Sequence, residues 1–276
     1  MTPEPALGAS HPSPYDQAGH RLRLEWGPVG GAEVVDRHTY AVVVDVLSFT
    51  TCVSVAVGAG IDVLPWRASR PDEDADAYAA EHAAVRALGR DEARERDGVS
   101  LSPASLRDAP ADLRRVVLPS PNGATTAVDL AERCAGVVAG CLRNRTAVAG
   151  WLAERMAEGS AVALVPAGER WARDGSLRPA AEDLYGAGAV LEALVAAVPD
   201  LTPSPEAAVA LAAWRAAVGA DGDIEVALRA TGSGRELVER GYGEDVSIAA
   251  ALDVADDVPL LMGTTFVPQG GGMRAL

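Results

Sequence analysis

Two textures alternate along this chain, and that alternation most constrains its fold. Short apolar, mostly β-branched runs stand at Tyr40–Val46, Ile61–Pro65, Arg115–Leu118, Gly136–Ala139 and Ala161–Val165. Alanine-rich stretches with helical spacing lie at Ser48–Val57, Asp72–Leu88, Ala124–Arg133, Thr146–Glu158 and Ala181–Val198. Strands that alternate with helices pack in layers, with helices on both faces of a largely parallel sheet. The strand runs are nearly unbroken in apolar residues, as a sheet buried on both faces requires. The expected fold class is α/β, a three-layer α/β/α arrangement with a largely parallel or mixed central sheet.

Residues 1–20 read as a tail, because Met1 to Gln17 is polar and proline-rich and lacks the apolar core of a signal peptide. Residues 21–267 form a single expected domain, and 268–276 a frayed end. The stretch from Gly89 to Asp112 breaks the rhythm, charged at first and then rich in Ser and Pro. It reads as a surface loop or part of a lid with room for one short strand. Proline-bounded Pro199–Pro205 separates helices. Further helices are expected at Glu206–Val218, Ile224–Ala230, Ser233–Arg240 and Glu244–Leu252, and a last strand at Val258–Met262.

Charge excludes several function classes. The chain carries 39 Asp and Glu against 24 cations, a net charge of −15, and every cation is an arginine. So acidic a surface argues against nucleic acid or an anionic membrane as partner. Without lysine a P-loop is impossible, and no GxGxxG follows a strand. His11, His20, His38 and His82 lie outside the strand-end turns, which argues against a serine–histidine relay or a histidine zinc site. Cys52, Cys134 and Cys141 have no metal-binding spacing and read as buried free thiols in a reducing, cytoplasmic setting. There is no apolar run long enough to span a membrane. The alanine-rich helices leave a homodimer open as a partner.

Four strand-like runs end in polar residues that open the next helix. Val42–Leu47 leads into Ser48, Phe49, Thr50 and Thr51, and Val116–Leu118 into Pro121, Asn122, Gly123, Ala124 and Thr125. Val137–Ala139 leads into Gly140, Cys141, Leu142, Arg143 and Asn144, and Val162–Val165 into Pro166, Ala167, Gly168 and Glu169. In a parallel sheet all four turns share the carboxyl rim, where open α/β sheets bind ligands. Helix N-termini with Ser, Thr and Asn side chains suit phosphate, sulfonate or carboxylate there. Asp45 interrupts an apolar strand, so it either caps a neighbouring helix or serves as a metal ligand or catalytic carboxylate. Glu182 and Asp183 open a helix, either as partners of its dipole or as further site acids. With Glu169 they make an oxygen-rich set suited to Mg²⁺.

These residues, in this order, resemble the 2-phosphosulfolactate phosphatase family. The likeness rests on Asp45-Val46-Leu47, Gly58-Ala59-Gly60, Val63-Leu64-Pro65, Pro121-Asn122-Gly123-Ala124-Thr125, Gly140-Cys141-Leu142-Arg143-Asn144 with Ala147, Pro166-Ala167-Gly168, and Glu182-Asp183 with Ala187-Gly188. It spans roughly Arg21 to Leu261. It implies a three-layer α/β/α fold and Mg²⁺-dependent hydrolysis of a phosphate monoester on a small sulfonated hydroxy acid. Asp45, Glu182 and Asp183 are the expected catalytic acids, and with Glu169 the expected metal ligands. Ser48, Thr50, Thr51, Asn122, Gly123, Thr125, Arg143, Asn144 and Gly168 are the expected substrate contacts, with Arg143 or Asn144 on a second anionic group. Three positions depart from the family pattern. Ser48 stands where an arginine usually follows Asp-Val-Leu, Ser100-Leu101-Ser102-Pro103 where Gly-Asn-Ser-Pro is usual, and Arg90 follows Gly89 where glutamate is usual. The alternative to a phosphatase is a protein that binds a phosphorylated or sulfonated acid without turning it over.

Overall fold

A computed structural model of the chain describes Ser13 and residues 15–67, 74–219 and 223–269. Its strands are β1 (Leu22–Leu24), β2 (Thr39–Val44), β3 (Asp62–Arg67), β4 (Val85–Arg86), β5 (Arg115–Ser120), β6 (Gly136–Gly140), β7 (Ala161–Pro166), β8 (Glu169–Arg170), β9 (Leu177–Arg178), β10 (Val258–Met262) and β11 (Thr265–Gln269). Helices follow as α1 (Gly27–Val34), α2 (Phe49–Gly58), α3 (Ala75–Glu81), α4 (Arg90–Glu95), α5 (Pro103–Arg107), α6 (Gly123–Leu130), α7 (Arg145–Ala157), α8 (Ala181–Ala197), α9 (Pro205–Val218), α10 (Ile224–Ala230), α11 (Gly232–Glu239) and α12 (Gly243–Ala250).

The fold is α/β, with nine strands in one mixed sheet ordered β1-β7-β2-β6-β10-β11-β3-β5-β4. Side chains alternate across β2. Val42 and Val44 join a core with α7, α8 and α9, while Ala41 and Val43 join a second core with α2 and α6. Two apolar cores on opposite faces of one sheet define the three layers. Helix α2 is the most enclosed, with every residue from Phe49 to Val57 buried. Phe49 meets Phe266 of β11 edge to face at 6.2 Å, which pins the β10–β11 hairpin to this helix.

The sheet is not the single parallel surface on which one shared rim depends. β1, β7, β2 and β6 run parallel, with Val44 abreast of both Gly140 and Pro166. β3, β5 and β4 form a second parallel group. Between the groups lies the antiparallel β10–β11 hairpin, itself antiparallel to β6 on one side and β3 on the other. Three of the polar turns therefore share a rim through strand register. The fourth, after β5, belongs to the group that runs opposite to the first, and it is side-chain hydrogen bonds that tie it to the others.

Other expectations shift. The helix expected over Asp72–Leu88 is the short α3 followed by strand β4, with Asp74 accepting the N–H groups of Asp76 and Ala77 as the cap; Asp72 itself lies outside the described residues. The excursion after Gly89 holds two helices, α4 and α5, and an isolated parallel bridge between Leu88 and Ser100. Its polar composition hid helices too short to show an apolar stripe. β1, α1 and β11 were not expected, and β11 runs past the boundary drawn after Val267. The segment expected to be frayed from Gly270 and most of the N-terminal tail lie outside the described residues. Gln17, within that tail, is tied to Leu24 by two hydrogen bonds. Among the described residues no helix is long and apolar enough to cross a membrane.

Candidate active site

The site grows from the end of β2. The chain leaves the sheet at Asp45, and Thr50 and Thr51 staple the turn shut. The Thr50 hydroxyl pairs with both the N–H and the carbonyl of Asp45, at 3.0 and 2.9 Å, and the Thr51 hydroxyl donates to the Val46 carbonyl at 2.7 Å. Both threonines are fully buried, so their oxygens brace backbone. Ser48 precedes α2 but makes no cap bond of its own. That task falls to Asp45, whose Oδ1 accepts the Phe49 N–H at 3.0 Å. Its Oδ2 accepts the Gly123 N–H at 2.9 Å.

One carboxylate thus joins the N-termini of α2 and α6, which come from the two separate strand groups. The approach demands glycine, because a Cβ at 123 would fall 2.5 Å from Phe49 and 2.6 Å from Asp45 Oδ2. Asp183, in the first turn of α8, makes an analogous brace. Its Oδ1 accepts the Val46 N–H at 2.8 Å, and its Oδ2 accepts the Gly168 N–H at 2.9 Å. Gly168 has φ +68°, a conformation that favours glycine. Asp183 therefore ties the β2 and β7 turns together and does not cap its own helix.

Glu182 and Glu169 complete an acidic cluster. Glu169 Oε1 accepts from Asn122 Nδ2 at 2.8 Å, so the β5 and β7 turns meet here. Glu182 is buried and its Oε2 has no hydrogen-bond partner among the described residues, nor does Oδ1 of Asn122. Three of these acids are pushed upward. Burial pushes the Asp45 carboxyl up to about 6, with the charges of Glu169 and Glu182 adding and its two N–H bonds opposing. Burial, followed by the charges of Asp45 and Glu182, holds Asp183 well above the usual carboxylate range. Glu169 is raised by burial, and Glu182 adds to it, while Arg178 across the β8–β9 pair works the other way. Among the described residues no three His, Cys, Asp or Glu side chains are grouped so as to cage a metal ion by themselves.

The remaining expected contacts divide. Thr125 bonds back to the Ser120 carbonyl at 3.2 Å and supports the Asn122 turn. Asn144 is fully buried. Its Oδ1 accepts the Cys141 N–H, and its Nδ2 donates to the carbonyls of Ala139 and Asp257, so it holds the turn after β6. Arg143 donates to the Ile248 carbonyl of α12 at 3.0 Å, and its buried Nε has no partner among the described residues. Burial lowers its pKa, and no carboxylate lies against it among the described residues.

Sequence reasoning missed the cation that the structure brings beside the β2 turn. Arg90 donates to Ser48 Oγ at 2.8 Å and pairs with Asp245 Oδ2 at 2.9 Å. Asp245 is buried, and its Oδ1 accepts from the Ser102 hydroxyl at 2.6 Å. Only the Gly89-Arg90 and Ser102 positions, already noted against the family pattern, marked the segment. Nothing local pairs residue 90 with residue 245.

A model of the 2-phosphosulpholactate phosphatase family matches residues 32–264. The chain belongs to this family. Its members are phosphoric monoester hydrolases, and the chain is an enzyme of that class. No curated protein matches it closely enough to add a relative. Within the 2-phosphosulpholactate phosphatase family pattern, the three departures prove to be neighbours. The guanidinium that reaches position 48 comes from Arg90, and Arg90 and Leu101 line the same cavity of about 270 Å³.

Proposed function

We propose that the chain hydrolyses a small phosphate monoester bearing a further anionic group, 2-phosphosulfolactate or a related phospho-hydroxy acid, with Mg²⁺ as cofactor. The observation that carries this reading is the meeting of four mutually repelling acids with the N-termini of α2 and α6 at one point. Carboxylates packed this way call for a cation, and helix N-termini attract an anion. A metal-bound phosphate ester supplies both.

The donor set fits Mg²⁺. It consists of oxygens alone, and Glu182 Oε2 is buried with no hydrogen-bond partner among the described residues. Mg²⁺ commonly uses one or two carboxylates and keeps waters for the rest, so a closed protein cage is not required. Glu182 and Glu169 would hold the ion, with Asp45 and Asp183 contributing charge from braced positions. Bound there, it would neutralise phosphoryl charge and activate the ester. Ser48, Asn122 and the two helix N-termini would face the phosphoryl oxygens. Asp45, pushed up to about 6, is suited to take a proton from the attacking water and return one to the leaving oxygen. Gly123 and Phe49 hold that carboxyl in place through their N–H groups.

The test pairs two readouts. At about pH 7.5 Mg²⁺ should raise the unfolding temperature, and at about pH 4.5, where Asp45 is largely protonated, it should do so far less. Phosphate release from a panel of esters should require Mg²⁺ and should favour esters with a second anionic group. Tight ester binding without release under any condition would contradict the reading and favour the non-catalytic binder.

A further inference from the structure

We infer that Arg90 is the residue that selects the substrate, by gripping its second anionic group, a sulfonate or carboxylate, in the cavity beside Ser48. The inference rests on the phosphatase reading for the first group and assigns the second.

Arg90 is held on three sides. Its Nε and Nη2 both donate to Asp245 Oδ2, at 3.1 and 2.9 Å, and Nη2 also donates to Ser48 Oγ at 2.8 Å. The Tyr242 ring lies 5.4 Å from its guanidinium carbon. Asp245 is itself fixed, because its Oδ1 accepts from the Ser102 hydroxyl at 2.6 Å and from the Ala104 N–H at 3.3 Å. These contacts use one edge of the guanidinium. Among the described residues Nη1 has no hydrogen-bond partner. A pinned guanidinium with Nη1 still free binds an oxyanion at little entropic cost, because its geometry is already set.

Arg90 lines a cavity of about 270 Å³ together with Leu101, Pro119, Arg86 and Arg240. That size suits one arm of a small acid and excludes a bulky leaving group. The other cations there are engaged, Arg86 with Asp76 and Glu92 and Arg240 with Asp91 and Glu236. Two links run from the cavity lining toward the acidic cluster. Pro119 precedes Ser120, whose hydroxyl accepts the Asn122 N–H, and Ser48 links Arg90 to the turn of Asp45. Cys52 feels the charges of both Arg90 and Asp45, so both groups lie near one residue of α2. Arg143, the cation expected for this task, faces the Ile248 carbonyl instead.

Two probes test the assignment on the whole chain with Mg²⁺ present. Phosphoglycolate carries a second anionic group and ethyl phosphate does not. In Arg90→Ala the ratio of their kcat/KM values should fall roughly 10- to 100-fold, the size expected for loss of a charge-assisted pair. Arg90→Lys, which keeps the charge but not the fork, should fall between. Arg90→Ala leaves Asp245 buried and unpaired, so the double variant Arg90→Ala/Asp245→Asn, checked by circular dichroism, guards against misfolding. An unchanged ratio in a folded variant overturns the proposal. Should the wild type release phosphate from neither ester, the phosphatase reading fails, and calorimetric binding of sulfoacetate decides the role of Arg90 separately. Binding that weakens by a similar factor in the folded variant supports it, and absent or unweakened binding overturns it.

Discussion

The acidic side of the site and its cationic side are built in different ways. On the acidic side Asp45 and Asp183 sit at or near element ends, and each carboxylate is held by two backbone N–H groups. On the cationic side Arg90 is held by side chains from α12 and the β2 turn, more than a hundred positions away in the case of Asp245. Backbone bracing fixes a group wherever the strands go, whereas side-chain bracing depends on three separate segments meeting. The acidic side is therefore the rigid part of the design, and the cationic side the part that can change with the substrate.

The largest effect that would break this comparison comes from Gly123. Gly123→Ala drives a methyl group into Phe49 and Asp45, and should destabilise the fold by about 3 kcal/mol and abolish phosphate release together. Thermal unfolding beside a phosphate assay measures both, and a variant that is stable and active would show that the N–H brace is dispensable. On the other side, Asp245→Asn leaves the guanidinium of Arg90 buried without its counter-charge. The side chains are 13% and 2% exposed, so the loss should be about 3 kcal/mol in denaturant unfolding.

The third prediction concerns pH. The carboxyl of Asp45 stands at about 6 in the fold against 3.8 for the ordinary group, so the folded chain holds this proton longer than the unfolded one. Its contribution to stability is whole below pH 3.8 and is lost as pH rises through about 6, amounting to about 3 kcal/mol. Unfolding measured across that window should show wild-type stability falling with pH and a shallower fall in Asp45→Asn. Saturating Mg²⁺ should flatten the wild-type curve. The smallest effect is expected from Ser48→Ala, which removes one bond to a guanidinium that Asp245 still holds. It should cost about 1 kcal/mol of stability and shift KM more than kcat.

What the sequence showed follows the same division. Strand and helix periodicity exposed the α/β layers, and the polar turns marked Asp45, Asn122, Gly123 and Gly168, because strand ends and helix starts carry local signatures. The meeting of Asn122 with Glu169 was legible only if the sheet were uniformly parallel. The β10–β11 hairpin in its middle removes that premise, and the contact that the structure nonetheless makes is one no local pattern encodes. Asp45 could be read either as a helix cap or as a site acid, and it caps two helices at once within the acidic cluster. Arg143 and Asn144 occupy the expected turn but turn their polar atoms into backbone, a choice set by the packing of α12 and Asp257. The Arg90–Asp245 pair was invisible because long-range ion pairs leave no periodic trace.

We propose that a phosphate ester with a second anionic group is hydrolysed at the Asp45 cluster. The most direct test is the initial rate of phosphate release from 2-phosphosulfolactate with saturating Mg²⁺, for the wild type beside Asp45→Asn. Turnover by the wild type is expected, with a loss of about 100-fold or more in the variant, the scale of a lost general acid–base group. No release by the folded wild type, or an undiminished rate in Asp45→Asn, would contradict it.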